Sequence, residues 1–291
     1  MAFLSVQQML QAAREQQISL AEAVCRSDTA ESGLPPEASR EQMKHLWQVM
    51  QETSEQYDPK DRSNSGMVGG DAWKIREAAS AGRLLGDPFL NQVIEEALKT
   101  AECNACMKRI VAAPTAGSCG VLPAVLLPLF RQDLAGEEQI LDGLYVAAGF
   151  GQVTAARASV SGAEGGCQAE IGTASAMAAA ALTGIRGGSG EQCANAFAMA
   201  LGNLLGLVCD PVAGLVEVPC VKRNVIGAVN AVSAANMALA GITSRIPADE
   251  VIDAMGEIGD MMHESLRETG IGGLAGSPSG KEIARQLHTE W

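Results

Sequence analysis

Two stretches of the chain, 110–130 and 224–244, reach transmembrane length without a single charged side chain. Segments of that kind are buried, either in lipid or in protein. The first is broken by Pro114, Pro123 and Pro128 together with two glycines, and the second carries Asn224, Asn230 and Asn236. Unpaired backbone groups and side-chain amides are costly in hydrocarbon. Both stretches are therefore expected as buried parts of a soluble protein with no membrane partner. Such interiors must be filled. Hydrophobic residues make up 47% of the chain but aromatics only 3%, so the core has to be built from Ala, Leu, Val, Ile and Met. Small and aliphatic side chains suit closely packed helices. The 291 residues are long enough to bury a substantial core.

Charge removes another class. Against 34 Asp+Glu stand 21 Lys+Arg, a formal charge of −13, which disfavours a nucleic-acid partner whose binding depends on neutralising phosphates. The N-terminal MAFLSVQQMLQAAREQ has neither the basic start nor the apolar run of a secretory signal, so a cytoplasmic location is expected. In a reducing compartment the eight cysteines are poorly explained by disulfides. They are buried small hydrophobes, metal ligands, or some of each.

Capping and periodicity outline an all-α, mostly helical chain. Ser19 with Glu22 and Ser39 with Gln42 each fit a capping box, and Met43, Leu46, Trp47 and Met50 recur at helical spacing behind the second. Pro35 and Pro36 separate these two helices. A polar loop, DPKDRSNSGMVGGD (58–71), precedes a helix from about Ala72, and Asp87-Pro88 starts another. Ala-rich helical stretches then fall near 121–134, 137–158, 167–184, 190–207, 225–241 and 248–268. Glycine-bearing loops lie between them: APTAGSCG (113–120), SGAEGG (161–166) and CDPVAGLVEVPCVKRN (209–224). No period-2 alternation is sustained and no repeat stands out. One domain over 1–291 is expected, with 1–60 a candidate N-terminal helical subdomain.

Three cysteines, Cys167, Cys209 and Cys220, lie in or beside these loops, in EGGCQAE, LVCDPVAG and EVPCVKRN. Three loop thiolates suit an iron–sulfur cluster, and three buried structural cysteines are the alternative. Cys103 and Cys106 form a C-x-x-C pair at helical spacing. With no histidine at ligand spacing to complete a zinc site, structural burial is favoured for them.

The segments GGDAWK (69–74), APTAGSCGVLPAVL (113–126), SGAEGGCQAEIGTASAMAAAAL (161–182) and CDPVAGLVEVPCVKRN (209–224) resemble the α subunit of iron–sulfur-dependent L-serine dehydratases. The likeness extends from ISLAEAV near the start to RETGIGGLA (267–275) near the end, and covers most of the chain. It implies that Cys167, Cys209 and Cys220 ligate three irons of a 4Fe–4S cluster, with no pyridoxal phosphate involved. The fourth iron, left without a protein ligand, would act as a Lewis acid on the serine hydroxyl. Loss of water gives aminoacrylate, which tautomerises to an imine and hydrolyses to pyruvate and ammonia. In this frame Cys119 is a packing residue near the site.

Around those ligands the residue types suggest further members. SGMVGGDAWK (65–74) is a glycine-rich loop entering a helix, whose N–H groups suit a carboxylate. Lys74, Ser65 and Asp71 are candidate catalytic residues there, Gly69 and Gly70 candidate substrate contacts, and Lys74 is also placed to pair with the substrate carboxylate. A helix cap by Asp71 beside a solvated Lys74 is the alternative. Thr115 and Ser118 either face the site or shape a tight turn. Glu164 is a candidate proton carrier. Arg223 and Asn224, just past the third cysteine, are candidate substrate contacts. Asp210 either orients the cluster region or caps a turn.

Single-chain members of the resembled family carry a second substrate-binding domain for which this chain has no room. The split form, with a separate β subunit as partner, is therefore expected. The tail ends HTEW without a late cysteine, so no C-terminal thiol is expected to cap the open iron. Competing readings are a non-catalytic iron–sulfur electron-transfer or sensor protein, with Cys119 or Cys193 as fourth ligand, and a pyridoxal-phosphate dehydratase using Lys74 or Lys222. Within the family, a lyase acting on L-cysteine is the nearest rival.

Overall fold

The computed structural model describes residues 3–289, with side chains through 287. Met1, Ala2 and the side chains of the HTEW tail lie outside the described residues. Thirteen helices follow one another among those residues: α1 (Val6–Gln16), α2 (Leu20–Ser32), α3 (Pro36–Glu55), α4 (Asp71–Ser80), α5 (Pro88–Ala105), α6 (Val121–Arg131), α7 (Glu137–Arg157), α8 (Gly162–Gly165), α9 (Thr173–Ile185), α10 (Gly190–Gly202), α11 (Cys220–Leu239), α12 (Ala248–Met261) and α13 (Pro278–Thr289). No strand occurs among the described residues; a single bridge pairs Cys209 with Arg267 in parallel. The all-helical expectation holds. None of these helices is long and apolar enough to cross a membrane.

Helix α9, TASAMAAAALTGI, is the axis of the molecule. It packs against α6, α7, α10 and α11, and all but one of its residues are buried. Its run of alanines explains how four neighbours reach it. A methyl group keeps backbones close, and the gain is dispersion over many short contacts. Gly227 on α11 serves the same end, since a Cβ there would lie 3.0 Å from Ile171 and from Val121. Val6, Met9, Val24, Trp47 and Met50 from α1–α3 join this same apolar core.

Element starts follow local chemistry. Ser19 caps α2 by accepting from Glu22 N at 3.1 Å, and Asp87 caps α5 through Leu90 N at 2.8 Å, both as read from sequence. Ser39 does not cap. Helix α3 begins earlier, with Pro36 at its first turn, and leaves Ser39 inside it. Its hydroxyl instead bonds Asp28 at 2.6 Å and the Tyr145 hydroxyl at 2.7 Å. Proline at the first helical position needs no N–H partner, and that preference prevailed over the serine. Of the expected apolar stripe, Trp47 and Met50 are buried while Leu46 is exposed.

Candidate functional site

The three singled-out cysteines sit at three different kinds of backbone feature. Cys167 follows Gly166, whose φ of +73° turns the chain, and precedes a π-helical turn over Gln168–Gly172 that leads into α9. Gln168, fully buried, holds this turn in place. Its Nε2 donates to Met255 O at 3.0 Å, its Oε1 accepts from Gly206 N at 2.8 Å, and its own N–H reaches Leu207 O at 2.9 Å. Cys209 is gripped on both backbone groups: its N–H donates to Leu266 O at 2.8 Å and its carbonyl accepts from Glu268 N at 2.7 Å. Cys220 is the first residue of α11, directly after the cis bond Val218–Pro219. The helix starts five residues before the sequence suggested, so this cysteine projects from a helix N-terminus rather than a loop.

All three are buried, and their thiols interact. Burial pushes the Cys167 thiol up to about 11; Arg223 opposes the shift and Glu170 adds to it. Burial pushes Cys220 up to about 12, with Cys167 adding to the shift. Cys209 is raised by burial, then by Cys167, Glu170 and Cys220. Neutral thiols here need a strong Lewis acid to become ligands, since only the thiolate binds metal.

A carboxylate that the sequence reading passed over lies among them. Glu170 receives a hydrogen bond from Thr115 Oγ1 at 2.7 Å and lies 3.9 Å from Cys209 Sγ. Glycines make room for it: a Cβ at Gly162 would fall 2.6 Å from Glu170 Oε2 and 3.0 Å from Cys209 Sγ, and one at Gly117 would fall 3.3 Å from Oε1. Burial raises its pKa, which Thr115 counters and Glu268 reinforces. Its position three residues after Cys167 was the available signal, because i and i+3 share a helical face. Glu164, singled out instead, is exposed and borders a separate cavity.

The loop 113–120 is held as a turn. Ser118 is fully buried and bonds Thr115, while Asn224 pins the loop to α11. Asn224 Oδ1 accepts from Gly120 N at 2.8 Å, and its Nδ2 donates to Gly117 O at 2.8 Å and Cys220 O at 3.0 Å. Every polar group of that amide is engaged by backbone. Arg223 donates to Val208 O at 2.7 Å and pairs with buried Asp210 at 2.8 Å. Burial opposes its charge, but Cys167 and Asp210 hold it protonated. Asp210 Oδ2 also accepts from Leu274 N at 2.7 Å, which seats the 267–275 segment on the cysteine loops.

In the 65–74 loop the helix N-terminus does meet a carboxylate, and it is the protein's own. Glu102 accepts from Gly70 N at 3.1 Å, Asp71 N at 2.8 Å and the Tyr57 hydroxyl at 2.8 Å. Gly69, with φ +133°, could not be otherwise: a Cβ there would stand 2.2 Å from Asp61 O. Lys74 is exposed and donates to Asp71 at 2.7 Å, with Lys222 3.8 Å from the other oxygen of Asp71. Ser65 and Ser63 both donate to Oε2 of buried Glu217, tying this loop to the one that bears Cys209 and Cys220.

Four of the remaining five thiols lie in packing positions, whereas Cys106, the second of the C-x-x-C pair, is only half-buried. Cys103 contacts Thr53 O at 3.6 Å, Cys119 contacts Thr100 O at 3.9 Å, and Cys25 and Cys193 belong to the main core. No cysteine is in a disulfide. Among the described residues no three His, Cys, Asp or Glu side chains converge closely enough to share one metal ion. A cluster asks for something different, one thiolate for each of several irons. Three separate, buried thiols with a guanidinium beside one of them are residue types that such a donor set uses.

Three cysteine-bearing segments of a helical protein thus meet around one half-buried carboxylate. The serine dehydratase alpha chain model matches residues 15–275, and the chain belongs to that family. It is 47% identical to a probable L-serine dehydratase alpha chain of Bacillus subtilis, over 98% of this chain and 95% of that one. It is 41% identical to the L-serine dehydratase alpha chain of Peptoniphilus asaccharolyticus, over 98% of each. A longer relative, an L-serine dehydratase of Mycobacterium tuberculosis, is 37% identical over 94% of this chain and 61% of its own length.

Proposed function

We propose that this chain is the cluster-bearing α subunit of an enzyme that converts L-serine to pyruvate and ammonia, with a separate β subunit as partner. The observation that carries it is the meeting of Cys167, Cys209 and Cys220 around the half-buried carboxylate of Glu170, in a chain of this family. A 4Fe–4S cluster on those three thiolates would supply a Lewis acid for the serine hydroxyl, the poor leaving group of the reaction.

The chain's own residues do the rest. Gln168 and the Cys209–Arg267 bridge fix where two of the thiolates stand. Arg223, paired with Asp210 and close to Cys167, offsets their accumulating negative charge. Glu170, kept in place by Thr115, takes or returns a proton at Oε2, the oxygen that faces Gly162. In this reading Ser65, bonded to Glu217, and Asp71 act from the 65–74 loop, and Lys74 would exchange its pairing with Asp71 for the substrate carboxylate. Asn224 and Ser118 hold the loop 113–120 against the site.

Anaerobic purification of the chain, alone and with its β partner, tests this through iron and sulfide counts, a spectrum with and without L-serine, and pyruvate release. Three to four irons per chain, a serine-induced spectral change and turnover with the partner are expected, at roughly the stoichiometry of one cubane. Full iron content in Cys209→Ala, or no iron after careful reconstitution, would sink it.

A further inference from the structure

A cavity of about 400 Å³ opens on the far side of the Cys167 segment, between α8, the end of α7, and α12. Its walls are small. Gly165 and Gly259 touch so closely that a Cβ on Gly259 would lie 2.9 Å from the Gly165 Cα. Ala163 and Ala169 complete that side. Charged side chains of both signs look into this space. Arg267 is half-buried, and among the described residues its guanidinium makes one 3.5 Å contact, to the Glu164 carbonyl, and no ion pair. Glu164 and Asp260 line the same space, and neither carboxylate pairs with a cation among the described residues. Arg157 also borders it but is already held by Asp253 at 2.6 Å.

Glu164 and Asp260 are exposed to water and Arg267 is half-buried, so all three charges are free to turn to a ligand that carries both signs. A simple anion would satisfy Arg267 and leave two carboxylates facing it, and a simple cation would do the reverse. We propose that this cavity binds a small α-amino acid as its zwitterion, the carboxylate on Arg267 and the ammonium between Glu164 and Asp260. The Gly and Ala walls admit a short side chain, and the cavity of about 400 Å³ holds a small amino acid together with its hydrating waters. The site does not depend on the cluster. It is nonetheless walled by the segments that carry two of the cysteines, since Gly165 lies two residues before Cys167 and Arg267 is the bridge partner of Cys209.

Calorimetric titration of the full, iron-free chain with L-alanine tests this, because alanine has no β leaving group. Saturable binding at one site is expected. Propionate and ethylamine, the two halves of the ligand, should each bind about tenfold more weakly or worse, since each forfeits a charge-assisted contact. Asp260→Asn, on an exposed position of α12, should weaken L-alanine about tenfold without touching the fold, and Arg267→Gln should do likewise. Absence of saturable binding overturns the proposal, as does propionate binding as tightly as L-alanine. Binding that survives Asp260→Asn but is lost in Cys209→Ala would place the amino acid at the cysteines and overturn it too.

Discussion

Thr115 donates its hydroxyl hydrogen to Oε1 of Glu170 at 2.7 Å, joining the loop 113–120 to the π-helical turn behind Cys167. The bond leaves Oε2 directed at Gly162 and the Cys209 sulfur. Glu170→Gln keeps the shape and removes the exchangeable charge. With the partner subunit present, pyruvate release should fall by about a hundredfold or more while iron content is kept. Thr115→Ala should cost about 1–2 kcal/mol of stability, measured by urea unfolding of the chain. Turnover of Glu170→Gln at the native rate would remove Glu170 from the proton step.

Gly162→Ala places a methyl group 2.6 Å from Glu170 Oε2 and 3.0 Å from Cys209 Sγ. Neither neighbour can retreat easily, because Glu170 is tied to Thr115 and Cys209 is gripped on both backbone groups. The variant should fold, with unchanged far-ultraviolet circular dichroism, yet reconstitute less than about half the iron of the native chain, given how little closely packed interiors yield. Normal iron content would show that the thiols are not positioned through this glycine.

Asn224→Ala leaves the Gly120 N–H and the Gly117 carbonyl without their partner in a buried place, while the Cys220 carbonyl keeps its helical bond. A loss of about 2–3 kcal/mol in unfolding free energy is expected, with faster hydrogen exchange at Gly120. An effect confined to substrate affinity, with stability unchanged, would instead make the amide a ligand contact.

Much of this architecture is legible in the chain. Ser19 and Asp87-Pro88 start helices where they should, because a cap is a local contest between one side chain and one or two N–H groups. Ser39 fails on the same ground, since Pro36 settles the start of α3 first. The cysteines were found from their loops and from likeness to a family. Glu170 was not, because a single acid in an apolar helix looks like any solvated charge until Thr115, Gly117 and Gly162 are seen around it. Glu102 hid for a similar reason. Its partners, Gly70 and Asp71, lie more than a helix away in sequence, and only packing of α4 on α5 brings their N–H groups to it.

Buried thiols also set how the metal-free chain responds to alkali. Cys119 is pushed up to about 12 by burial and then by Cys103, and Cys193 to about 12 by burial, against about 8.5 for an unfolded cysteine. Between those values the unfolded chain releases a proton that the folded chain keeps. Stability is therefore complete below pH about 8.5 and declines as pH rises, by up to about 1.4 kcal/mol per pH unit for each such group. The urea midpoint should drop between pH 8 and pH 10, and less steeply in Cys193→Ala. A midpoint level across that range would contradict the burial of these thiols.

The seat of Leu274 on Asp210, beside the pairing of Cys209 with Arg267, has a consequence for the order of events on the ribosome. Cys167, Cys209 and Cys220 are synthesised before the residues that clamp the second of them, because 266–274 follows all three in the chain. A nascent chain halted at 260 would carry all three thiols while the backbone of Cys209 still lacked both its partners. If the proposed cluster binds here, a correctly shaped site requires that 266–274 has been made and has folded back onto Cys209.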